Sequence, residues 1–178
     1  MITDVLLANP WLTPTALVVV VVLGPVVGVW LVGRPRLALG LAALSLLPVA
    51  ALTLVPVQRE LYEFCAVQWS LPTPGRVELF ANVVLFVVPV LLAGVGTRRP
   101  LLVLAAASGL SALLEAFQAV VPGIGRSCDT NDWLCNTIGA SIGAVLALAA
   151  LAIVRRRDGR AAGSAQQGNP DVQTAGHR

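Results

Sequence analysis

The chain has 178 residues, 57% of them hydrophobic and 12% charged, against about 25% charged in an ordinary globular domain. A soluble core of this size needs a charged surface that the composition lacks, so one integral membrane domain is the reading that remains. The net charge of +3 rests on arginines that mostly cluster beside apolar runs; a nucleic-acid-binding face would scatter them among aromatic and polar residues, so that class is excluded.

About 20 apolar residues cross a hydrocarbon core about 30 Å thick, which sets the length to look for. Residues 1–14 carry Asp4 and no basic residue, so they lack the charged start of a secretory signal peptide and read as a short outer segment. The first span is expected over 15–32, with Gly24-Pro25 as a tolerated helix interruption. Arg34-Pro35-Arg36 ends it, and a second span follows over 37–57, containing Pro48. The connection 58–78 mixes Arg59, Glu60, Glu63, Arg76 and Glu78 with Tyr62, Phe64 and Trp69, a composition suited to the membrane–water boundary. The third span is expected over 79–96, the fourth over 101–121 and the fifth over 133–154. Residues 155–178 show no apolar periodicity and read as a disordered cytoplasmic tail, with His177, the only histidine, near its end.

The arginines orient the bundle. Short loops rich in Lys/Arg stay cytoplasmic. Five spans put Arg34/Arg36, Arg98/Arg99 and Arg155–Arg157 all on that side, whereas four spans would divide them. The fold class expected is therefore all-α, an integral membrane bundle of five transmembrane helices with the N-terminus outside and the C-terminus cytoplasmic. Asp4, Glu60, Glu63, Glu78, Asp129 and Asp132 then lie on the outer side.

The polar exception to this apolar chain runs from Glu115 to Gly143. Glu115 and Gln118 share a face of the fourth helix by their i, i+3 spacing. Glu115 lies about 10 Å below the outer end of that helix, where a carboxylate is expensive unless it faces the bundle interior and has a partner. It is either a site residue or a structural hydrogen bond. Asn82 can bridge helices or contact a ligand. Asp132 and Asn136 are one turn apart at the start of the fifth span, and Asp132 is either an N-terminal cap, a site residue or both. Gly139 and Gly143 form G-x-x-x-G, which permits close helix approach; its expected effect is to press Asn136 against the fourth helix near Glu115 and Gln118. Arg126 and Asp129 lie in the outer loop, where Arg126 suits a phosphate or carboxylate, or else pairs with Asp129 or Asp132. Glu115, Asp129 and Asp132 are oxygen donors of the kind hard cations prefer. No metal-ligand spacing or cofactor motif is present, so neither a metal nor a cofactor is expected. Cys65 and Cys128 both fall in outer loops, where a disulfide can form, although Cys135 competes for Cys128.

Together these pieces resemble the VanZ-like family of bacterial membrane proteins. The matching residues are Thr53-Leu54-Val55-Pro56, the run Asn82 to Pro89, and Glu115-Ala116-Phe117-Gln118. Arg126, Asp129 and Asp132 follow, then Asn136-Thr137-Ile138-Gly139-Ala140 and Gly143, the most specific block. The resemblance covers about 37–154. Val90-Leu91 stand where the family commonly has Leu-Gly. The resemblance implies a multi-pass protein of the bacterial cytoplasmic membrane acting near the cell envelope. The family is named for a protein associated with low-level teicoplanin resistance, and its members generally lack an established reaction.

Three functions are open at this point. The first is an outward-facing polar pocket that binds a lipid-linked or peptidoglycan-related component, lined by Asn82, Glu115, Gln118 and Asn136 with Arg126, Asp129 and Asp132 at its mouth. The second is an intramembrane enzyme with Glu115 or Asp132 as general acid/base, although no Ser/His, Cys/His or H-E-x-x-H arrangement accompanies them. The third is a small transporter, which would have to oligomerise because no inverted repeat is visible.

Overall fold

The computed structural model describes residues 8–56, 65–73, 75–121, 123 and 125–167, with side chains through 161. The segment around Asp4, the loop residues Arg59, Glu60, Tyr62, Glu63 and Phe64, and the last eleven residues with His177 lie outside the described residues.

Among the described residues, five helices are long and apolar enough to cross a membrane: α1 (Leu12–Val32), α2 (Pro35–Leu54), α3 (Val77–Thr97), α4 (Pro100–Val120) and α5 (Thr130–Gln167). Each begins a few residues before the apolar run that announces it, because a first turn tolerates polar residues and proline. Pro35 and Pro100 each sit in the first turn of their helix, where a missing N–H costs nothing. Between α3 and α4 the chain turns through Arg98, which takes a left-handed φ of 56° at the end of α3.

α5 corrects the expected tail. It does not stop near 154 but continues to Gln167, 38 residues in all. A segment without apolar periodicity has no burial to offset its ordering entropy. Extending an existing helix adds a hydrogen bond for each residue fixed, however, and Arg and Ala are good helix formers.

α3 and α5 form the most extensive interface in the bundle. Of α3's apolar window 56% is buried, against 11% for α4, so α3 is the central helix and α4 a peripheral one. The α3–α5 contact is a meeting of backbones. Ala140, Ala144, Ala147 and Ala150 of α5 are buried. At Gly139 a Cβ would run into the Val83 carbonyl, and at Gly143 it would lie 2.5 Å from the Val87 carbonyl oxygen. The glycines therefore serve α3 and not, as their position beside Asn136 suggests, the fourth helix. Small residues drive such approach where lipid offers no hydrophobic incentive.

Leu91, at the position where the family commonly has glycine, is buried in the same core. Its side chain packs toward α1, where Gly24 and Gly28 leave room: a Cβ on Gly24 would be 3.0 Å from Leu91 Cδ2, and one on Gly28 3.7 Å from Cδ1. The bulk of Leu91 is thus matched by the absence of a side chain at Gly24 on the neighbouring helix.

The bundle has two unlike ends. All three arginine clusters gather at one, where α1 passes to α2, α3 to α4, and α5 continues beyond Ala150. Arg34 stacks its guanidinium 4.2 Å from the Trp30 ring centroid there. At the other end the loops cross-link. Two short strands, β1 (Cys65–Ala66) and β2 (Cys128–Asp129), pair in parallel with Cys65 opposite Cys128.

Candidate functional site

The polar residues singled out in the sequence gather at this second end. Cys65 and Cys128 are joined by a disulfide with their Cα atoms 4.4 Å apart, and Cys135 is free and buried. The bridge carries the loop after β1 onto the start of α5. Gln68 donates from its backbone N–H to Thr130 Oγ1 (3.0 Å), and Thr130 Oγ1 donates back to the Gln68 carbonyl (2.9 Å). Gln68 Nε2 donates to Asp129 Oδ2 at 2.7 Å, and the Ser70 N–H to Asn131 Oδ1 at 2.8 Å. Trp69 meets Trp133 edge to face, with centroids 6.3 Å apart. Gln68, Ser70, Thr130 and Asn131 were not marked by the sequence, because each bond spans some sixty residues and leaves no local pattern.

Asp129 ends up as the cap of α5. Its Oδ1 accepts the N–H of Asn131, two residues on, which is the bond an N-terminal cap makes. The capping considered for Asp132 belongs to Asp129 because the helix begins at Thr130, three residues earlier than expected. Asp132 sits in the first turn instead, where the helix dipole favours a carboxylate, and accepts from Asn82 Nδ2 at 2.6 Å. Glu115, half-buried on α4, takes the Asp129 N–H on its Oε2 at 2.8 Å. Glu115, Asp129 and Asp132 therefore share one electrostatic neighbourhood. No group of three or more ligating side chains among the described residues is arranged to hold a metal ion.

Gln118 and Asn136 part company with this cluster. Gln118, buried, donates to the Thr53 carbonyl of α2 at 3.0 Å and so closes the α2–α4 contact. Asn136, also buried, donates to Ser111 Oγ of α4 at 2.9 Å. Its Oδ1 and the Nδ2 of Asn131 are buried with no partner among the described residues, positions a small polar group or water would satisfy. One turn further along, Ser108 and Thr137 share a hydroxyl bond (2.9 Å), and Trp133 Nε1 donates to the Ser108 carbonyl. Ser108, Ser111, Glu115 and Gln118 thus form one stripe on α4 at intervals of three, four and three. That spacing was readable in the sequence; the two serines passed unmarked because serine is common in apolar helices.

Arg126 anchors its Nε on the Val55 carbonyl just past α2, at 3.2 Å. Partial burial pulls its guanidinium below the ordinary arginine pKa while the charge of Asp132 pulls it back, and it stays cationic. Among the described residues its two terminal nitrogens form neither a hydrogen bond nor an ion pair.

This combination of α4 stripe, capped loop and glycine-bearing α5 lies within residues 12–153, which match the family model VanZ/LLP1. The chain belongs to the VanZ/LLP1 family. It is accordingly a multi-pass membrane protein of that family, built from five spanning helices. No match to the chain was found among curated proteins or solved structures.

Proposed function

We propose that the polar cluster at the disulfide end of this VanZ/LLP1 protein faces outward from a bacterial cytoplasmic membrane and binds a cell-envelope component. The ligand class is a headgroup that carries an anionic phosphate or carboxylate beside hydroxyl or amide donors, as in lipid-linked or peptidoglycan-related molecules. The observation that carries the reading is Arg126, fixed through Nε with both terminal nitrogens uncommitted among the described residues. A planar guanidinium so held is suited to take an anion through two parallel bonds. Beside it, Glu115 Oε1 and Asp132 Oδ2 accept no hydrogen bond from the described residues, so they remain as acceptors for ligand hydroxyl or amide groups.

Two further points support the orientation. A disulfide forms and persists in an oxidising compartment, and the arginine clusters at the opposite end match the cytoplasmic excess of basic residues. Binding is favoured over turnover because no Ser/His, Cys/His or H-E-x-x-H arrangement accompanies Glu115 and Asp132.

The test is photo-crosslinking of the purified protein with a lipid-linked peptidoglycan precursor, alongside teicoplanin sensitivity in a strain that depends on the gene. Arg126→Gln should reduce crosslinking by about tenfold, the scale of one charge-assisted hydrogen bond pair, and shift sensitivity in the same direction as deletion. Equal crosslinking by wild type and Arg126→Gln at equal protein levels would remove the proposal.

A further inference from the structure

The arginine end holds a cleft of about 420 Å³ between the α3–α4 turn and α5. Its rim carries Arg98, Arg155 and Arg156, its floor is Leu148, Leu151 and Ala152, and none of its lining residues is acidic. Pro100, which also lines it, opens α4, so the positive end of that helix dipole lies at the same place. The three guanidinium groups form no hydrogen bond or ion pair with the described residues, and all three side chains are exposed. Three uncompensated cations and a helix N-terminus at one mouth call for an anion. The apolar floor calls for something more than an anion. Leu148 precedes Arg155 by two helical turns, about 10 Å along α5, so the floor leads from the charged rim toward the middle of the membrane.

We propose that this cleft seats an anionic phospholipid, its phosphate between Arg98, Arg155 and Arg156 and an acyl chain along Leu151 and Leu148. Charge complementarity selects the headgroup, since basic pockets between helices at a membrane surface bind anionic lipid heads. The apolar floor selects a lipid over free phosphate, which would gain nothing from leucine. The occupied cleft ties the α3–α4 turn to α5 close to where Gly94 approaches Ala147.

Native mass spectrometry of the purified full chain, with phosphatidylglycerol and phosphatidylcholine of matched acyl chains, tests this. Wild type should retain phosphatidylglycerol at least tenfold more strongly than phosphatidylcholine, and millimolar inorganic phosphate should not displace it. The triple variant Arg98→Gln/Arg155→Gln/Arg156→Gln should lose that preference, and the corresponding lysine triple should recover most of it. Ala152→Phe fills the floor without touching a charge and should weaken retention of phosphatidylglycerol while leaving the fold intact; it decides the matter if the arginine variant fails to fold. Equal retention of both lipids by wild type, unchanged retention by Ala152→Phe, or displacement by inorganic phosphate would each overturn the proposal.

Discussion

The Asn82 amide donates to Asp132 Oδ1 across 2.6 Å, joining the second turn of α3 to the first turn of α5 at the disulfide end. It is the polar counterpart of the backbone contact that Gly139 and Gly143 make with α3 further along the same interface. Asn82→Ala should therefore destabilise the detergent-solubilised protein by about 1 kcal/mol, within the range of interhelical hydrogen bonds in membranes. In a double-mutant cycle with Asp132→Asn most of that cost should appear as coupling. Additive effects on thermal unfolding would mean that the two residues act separately.

Gly139→Ala should do more damage than its single methyl suggests. The added Cβ meets the Val83 carbonyl, and a carbonyl in a helix cannot move aside as a side chain can. Overpacking costs about 1–3 kcal/mol in well-packed interiors, and the upper part of that range is expected. Gly109→Ala is the internal control, since apart from its chain neighbours and the nearby backbone of its own helix no described heavy atom lies within 4 Å of its Cβ position, and alanine favours the helix. Melting temperatures that rank these two variants the other way round would refute the backbone-contact account.

Leu91 and the α1 glycines should be energetically coupled. Leu91→Gly removes the side chain that packs on Gly24 of α1 and leaves a void there, at a cost of about 2–5 kcal/mol by analogy with large-to-small core changes. Gly24→Ala should then recover part of the loss in the Leu91→Gly background and give no gain in wild type, where its Cβ would press on Leu91 and Leu146. Unfolding of the four proteins under one detergent condition measures the coupling.

The Cys65–Cys128 bridge closes a segment with a sequence separation of 63, for which chain entropy sets a stabilisation of up to about 4 kcal/mol. Non-reducing mass spectrometry should find that linkage with Cys135 free. Replacing Cys65 and Cys128 together by serine should accelerate amide exchange first in residues 65–70, whose N–H groups bond to the start of α5. Exchange unchanged there would mean that the strand pair and its side-chain bonds hold the loop without the disulfide.

Much of this was legible from residue type alone. Five apolar runs define five helices because a spanning segment must be long and apolar, and the arginine clusters fall at one end because alternation along five spans leaves no other choice. The polar end was legible too, since Glu115, Asp129, Asp132 and Asn82 stand out against an apolar background. Partner choice was not. Whether Gly139 faces the third or the fourth helix depends on the rotation of α5, which a Gly/Ala-rich helix with small residues on several faces does not encode. Asp129 and Asp132 differ in role only through the residue at which the helix starts, and three residues of uncertainty there exchange cap for first turn. Gln118 follows Glu115 by one turn, yet its longer reach and the nearby end of α2 take it to the Thr53 carbonyl and away from the carboxylates.

The peripheral position of α4 has a mechanical consequence. α3 and α5 are held by atoms that nothing else can replace, carbonyls against glycine. α4 meets α5 and the loop before it through side-chain bonds, Ser108 to Thr137, Ser111 to Asn136 and Glu115 to the Asp129 N–H, beside the apolar packing of Val103, Leu104 and Ala107 on the cluster that holds Ala140 and Ala144. The bundle thus divides into a pair of helices locked backbone to backbone and a peripheral helix whose polar contacts are of the kind a hydroxyl or amide can exchange.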